Sequence, residues 1–117
     1  MNVDGDKMAI FDVDLDEFDQ KVVEESRQRP VLVDLWAAWC APCLVIAPIL
    51  ERVVTNRAGS IALARVEVDR GDNMKLAGRY QVRGFPTVLL LRDGEEIGRF
   101  SGAKTASFVD EFLDQLL

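Results

Sequence analysis

The stretch Val31-Leu32-Val33-Asp34-Leu35-Trp36-Ala37-Ala38-Trp39-Cys40-Ala41-Pro42-Cys43 decides the reading of this chain. Residues 31–37 are apolar apart from Asp34, the pattern of a strand covered on both faces. A helix is predicted to begin at the cysteines and run to about residue 57. Pro42 suits its first turn, where a missing N–H loses no hydrogen bond, whereas Pro48 in the interior should kink it. Val45, Ile46, Ile49, Leu50 and Val53 recur at helical spacing, which predicts one face packed on a sheet.

Working outward, Arg29-Pro30 ends the segment before the strand. That segment opens with a short strand over residues 9–11. A helix follows, with Asp14 and Glu17 at capping-box spacing and a stripe of Leu15, Phe18, Val22 and Val23. On the other side, Gly59 and Ser60 close the long helix and a strand covers residues 61–68. Asp72 or Asn73 is placed to cap a short third helix ending near Tyr80. Strands over 87–91 and 95–100 flank Arg92-Asp93-Gly94, and the Asp-Gly pair favours a tight antiparallel hairpin. A last amphipathic helix starts near Thr105 and should bury Phe108, Phe112, Leu113 and Leu116. The order β-α-β-α-β-α-β-β-α defines an α/β fold with a mixed sheet and helices on both sides.

A chain of 117 residues reads as one domain spanning 1–117, with residues 1–8 a short extension. Its net charge of −6 argues against nucleic acid, because phosphate binding needs Lys and Arg to displace counterions. The first residues lack both the basic start and the apolar run of a secretion signal. No apolar stretch approaches the ~20 residues of a membrane helix. A cytoplasmic address and a monomer are the expectations. In that reducing compartment a stable structural disulfide is disfavoured.

Two residues between Cys40 and Cys43, at a helix start, put both sulfurs near enough to bond. The first thiol faces unsatisfied amides and the positive end of the helix dipole, which favour an anion. A thiolate is the nucleophile in disulfide exchange. Cys40 is therefore assigned as the attacking thiol and Cys43, one turn deeper, as the resolving thiol, with Ala41 and Pro42 shaping the loop. Other readings are weaker. A disulfide closing so small a loop restricts the unfolded chain little. A zinc site needs about four ligands, and the chain has two cysteines and no histidine. Covalent haem attachment needs histidine where Leu44 stands. Coincidental core cysteines fit the spacing and setting poorly.

Asp34 is the second informative residue. In a strand it shares a face with Leu32 and Trp36, so its carboxylate should be buried among apolar groups. Burial raises a carboxyl pKa, and a group nearer neutrality can accept and donate protons for Cys43. The competing reading is a carboxylate turned to solvent or neutralised by a base such as Arg65.

Around these residues the chain resembles the thioredoxin family over nearly its whole length. The segments are Val33-Asp34-Leu35-Trp36-Ala37, Trp39-Cys40-Ala41-Pro42-Cys43, Ile46-Ala47-Pro48-Ile49-Leu50, Val82-Arg83-Gly84-Phe85-Pro86-Thr87, Asp93-Gly94 and Ser101-Gly102-Ala103. The resemblance implies a central mixed five-stranded sheet flanked by four helices and a cis Pro86 against the cysteines. It also implies a docking surface for substrate formed by Trp39, Gly84, Phe85, Pro86 and Gly102. Ala41 and Leu44 stand where the family commonly has glycine and lysine. Arg65 stands where it often has lysine, and arginine does not readily release a proton.

Two functions follow. The first is a protein-disulfide reductase with a redox-active Cys40–Cys43 pair, serving electron transport and cell redox homeostasis. The resemblance implies that it binds no cofactor and draws electrons from NADPH through a thioredoxin reductase. The second is the substrate-holding domain of a chaperone or co-chaperone, with redox activity secondary.

Overall fold

A computed structural model describes residues 8–117; the expected extension over 1–8 lies, apart from Met8, outside them. The apolar run forms β2 (Val31–Trp36), joined on one edge to β3 (Ala62–Glu67) and on the other to β4 (Thr87–Arg92). Outside these lie β1 (Ile10–Asp12) and β5 (Glu95–Ser101), giving the order β1-β3-β2-β4-β5. β1 and β2 both run parallel to β3, whereas β4 runs antiparallel to β2 and β5. The described helices are α1 (Leu15–Phe18), α2 (Ala41–Asn56), α3 (Met74–Arg79) and α4 (Ala106–Leu116).

Alternation along β2 divides the core between two layers. Val31, Val33 and Leu35 pack with Phe18, Val22 and Leu76, from the α1 segment and α3. Leu32 points the other way, among Ile46, Leu50 and Val53 of α2 and Val109 and Leu113 of α4. Burying each such side chain contributes about 1.5–3 kcal/mol. Gly98 lets α4 lie close on β5, because a Cβ there would stand 2.5 Å from Leu116 Cδ1.

Two parts of the expected stripes face outward instead. Val45 is 57% exposed and belongs to the outer face of α2, and Ile49 is only partly buried. Phe108 is 42% exposed, since α4 turns Val109 and Leu113 inward. Its ring still meets Phe100 edge-on at 5.5 Å.

The first helical segment also departs from the expected capping box. Asp14 makes no side-chain cap; its carboxylate accepts a hydrogen bond from Asn73 Nδ2 at 2.9 Å. Asn73 Oδ1 accepts from the Leu15 N–H at 2.8 Å, and Nδ2 also donates to the Glu67 carbonyl at 3.0 Å. Asn73 thus satisfies a free donor of α1 from a distant loop rather than capping its own helix. Beyond α1 the chain widens to a π-helical turn (Asp19–Val23) and tightens to a 3-10 turn (Glu25–Arg27).

The β4–β5 turn is built on Asp93 and Gly94, both at positive φ (55° and 84°). Positive φ at both central residues is the two-residue hairpin geometry. Ser26 holds this turn: its carbonyl accepts the Asp93 N–H at 2.8 Å and its Oγ accepts the Gly94 N–H at 2.9 Å.

Asn73→Ala should lower stability by about 1–3 kcal/mol, because it strands the Leu15 N–H in a part-buried site and leaves the Glu67 carbonyl with the Arg70 N–H alone. Urea unfolding should show a lower midpoint at an unchanged slope, with a smaller loss for Asp14→Ala.

Candidate active site

β2 ends at Trp36, and the chain turns so that the Cys40 N–H donates to the Ala37 carbonyl at 3.1 Å. Cys40 is the extended N-cap of α2, with Pro42 in the first turn. It forms a disulfide with Cys43 across a Cα–Cα distance of 5.3 Å. The Cys43 N–H points at Cys40 Sγ from 3.3 Å. Burial is graded: Cys40 is 5% exposed and Cys43 fully enclosed. The sulfur nearer solvent is thus the one at the helix N-terminus, where a backbone donor favours negative charge.

The Phe85–Pro86 peptide is cis, and the Phe85 carbonyl oxygen lies 3.4 Å from Cys40 Sγ. On either side the loop is fixed by Thr87 Oγ1 donating to the Gly84 carbonyl at 2.6 Å and the Gly102 N–H donating to the Pro86 carbonyl at 2.9 Å. Trp39 is exposed, its ring edge-on to Phe85 with centroids 6.3 Å apart. Trp39, Phe85 and Pro86 are therefore gathered beside Cys40, with Gly84 and Gly102 as the backbone anchors of the proline loop. Asp69 joins the group, accepting the Trp39 indole N–H at 2.6 Å. Sequence reading missed Asp69, because it stands 30 residues away on the turn after β3.

Asp34, in the strand that leads to the cysteines, is fully buried. Its register partner Arg65 places Nε 3.5 Å from Oδ2, and the guanidinium stacks 4.6 Å above the Trp36 ring. At that separation the two form an ion pair without a tight hydrogen bond. The carboxyl is therefore enclosed and has a cation beside it. Desolvation is the larger effect and lifts its pKa from 3.8 to about 6, against the attraction of Arg65. Arg65 and Trp36 also line a surface cleft of about 620 Å³, on the Arg65 side of the carboxylate.

A disulfide across two residues at a helix N-terminus, facing a cis-proline, is the apparatus of a thiol–disulfide oxidoreductase. The sequence profile of the thioredoxin family matches residues 9–115. A thioredoxin of Mycobacterium tuberculosis is 41% identical over 101 residues, covering 86% of this chain and 84% of its own. One of Mycolicibacterium smegmatis is 37% identical over 117 residues, covering 99% and 100%. Thioredoxin C-2 of Corynebacterium nephridii is 40% identical over 88 residues, covering 75% and 80%. The chain belongs to the thioredoxin family. It is a protein-disulfide reductase whose substrates are disulfide-containing proteins, and the chaperone-domain reading is not favoured. Among the described residues no helix is long and apolar enough to cross a membrane, and no group of His, Cys, Asp or Glu is placed to hold a metal ion.

The raised pKa of Asp34 has a defined sign in stability. The folded state holds this proton more tightly than the unfolded chain. Its stabilising effect is complete below pH 3.8 and is lost as pH rises through about 6. Asp34→Asn should therefore stabilise the oxidised protein by up to ~3 kcal/mol at pH 7.5 and by almost nothing at pH 3.5. Urea unfolding of both proteins at the two pH values measures the difference.

Proposed function

We propose that Cys40 is the nucleophile, Cys43 the resolving thiol and Asp34 the proton acceptor and donor for Cys43. In the reduced protein the Cys40 thiolate attacks one sulfur of a substrate disulfide. A mixed disulfide forms and the other substrate sulfur leaves as a thiolate. Cys43 then gives its proton to Asp34 and attacks Cys40 Sγ, which releases the second substrate sulfur. Two electrons have passed to the substrate, and the Cys40–Cys43 disulfide remains. The observation that best supports these roles is the graded burial of the two sulfurs together with the Cys43 N–H aimed at Cys40 Sγ. An acid with a pKa near 6 is about nine-tenths ionised at pH 7 and able to take a proton. Arg65 stays charged throughout, so it biases this acid without carrying its proton.

Trp39, Gly84, Phe85, Pro86 and Gly102 form the docking surface on this reading. The cis bond at Pro86 and the Phe85 carbonyl beside Cys40 support it, since an extended substrate segment reaching Cys40 can pair with the backbone of that loop. The reading includes a single domain working as a monomer in the cytoplasm, reduced by NADPH through a thioredoxin reductase. Family membership supports that electron source.

NADPH-driven reduction of insulin with a thioredoxin reductase tests the assignment. The native chain should turn over, and Cys40→Ser and Cys43→Ser should both abolish turnover. Only Cys43→Ser should accumulate a mixed disulfide with substrate, seen as a non-reducing gel shift. Accumulation with Cys40→Ser instead would reverse the two roles. Asp34→Asn should slow release of the mixed disulfide about tenfold or more near pH 7 while leaving the first attack largely unchanged.

A further inference from the structure

The first eleven residues from the N-cap of α2, Cys40 to Leu50, carry no charged, hydroxyl or amide side chain; Glu51 is the first. A helix apolar on every side is ordinarily buried on every side. This one is not. Cys43, Ile46 and Leu50 face the core, whereas Ala41, Leu44, Val45 and Pro48 face solvent, with Leu44 53% and Val45 57% exposed. Those four stand at spacings of three, four and seven, which makes one continuous stripe. It starts at the reactive pair, because the Leu44 N–H bonds to the Cys40 carbonyl at 3.3 Å.

We propose that this outer stripe of α2 is a second docking arm that selects disulfides flanked by apolar side chains. Its occupant is the substrate polypeptide itself, and the proposal rests on Cys40 being the attacked and attacking sulfur. Continuity supports this occupant. The exposed stripe begins at Ala41, the neighbour of Cys40 in the chain, so a polypeptide whose disulfide is seated on Cys40 has the first turn of α2 within reach. The stripe from Ala41 to Pro48 is about 10 Å long, a span that about three extended residues cover. Polar groups laid along it would lose water and find no side-chain partner, while apolar ones would gain by burial. Leu44 and Val45 thereby become specificity-determining residues.

The test uses two disulfide peptides identical except for three residues beside one cysteine, Leu-Val-Leu in one and Gln-Gln-Gln in the other. Hydroxyethyl disulfide, which has no flank, is the control. The reduced native chain should prefer the apolar peptide about tenfold in kcat/KM. In the double variant Leu44→Gln/Val45→Gln that preference should fall to about twofold or less, mainly through KM, with the hydroxyethyl disulfide rate held within about twofold. Equal rates on the two peptides for the native chain, or a preference intact in the variant, would overturn the proposal. So would an equal loss on the control, which would put the effect in Cys40 chemistry. A concentration-dependent dimer in sedimentation that the variant abolishes would give the stripe to a second copy of the chain. Failure of the native chain to reduce even hydroxyethyl disulfide would instead remove the thiol-exchange reading beneath it.

Discussion

β2 is hydrogen-bonded on both edges and buried on both faces, and the position of the reactive pair depends on that confinement. Shifting the strand by one residue would carry Leu32 into the layer of Val33 and turn every side chain to the wrong face. The register with Arg65 and Val88 fixes where β2 stops, and therefore where the turn to Cys40 begins. From that stop follow the N-cap position of Cys40, the enclosure of Cys43 and the approach of the Phe85 carbonyl. The site is a property of how the central strand ends.

The same confinement explains why an acid can be held near neutrality. Asp34 cannot swing out to water, because its backbone is locked between β3 and β4. Arg65 is held as well, stacked on Trp36 with its Nε at ion-pair distance. Burial raises the carboxyl pKa and the fixed cation lowers it, and burial wins. A lysine would reach the acid on a flexible stem with a releasable proton, whereas the arginine is a permanent charge clamped by an aromatic ring. The balance at Asp34 is thus set by packing more than by the chemistry of one neighbour.

Much of this was legible in the sequence for local reasons. A buried strand, a helix opening on two cysteines and an Asp-Gly hairpin each announce themselves within about ten residues. Asp34 stood out because a charge interrupts an apolar run. What escaped depends on residues far apart in the chain. The capping box at Asp14 and Glu17 is plausible locally, but the Asp14 carboxylate instead accepts from Asn73, 59 residues away, and Asn73 also accepts the Leu15 N–H. Val45 fits the inward stripe of α2 by hydrophobicity, yet the helix has more apolar residues than its inner face can hold. Periodicity alone does not say which of two apolar faces meets the sheet.

Ser26 gives the molecule a temporal constraint. Its carbonyl and hydroxyl receive the two N–H groups of the Asp93–Gly94 turn, across a separation of 68 residues for the Gly94 bond. A ribosome making the chain releases Ser26 long before that turn exists. Until β4 and β5 emerge, the end of the first helical segment has only water for these bonds, and β2 lacks the neighbour on its β4 edge. β1 and β2 can pair with β3 once residues 62–67 are made, but the Ser26 end of the first helical segment waits on the carboxy-terminal hairpin, and its settling is the closing of a long loop.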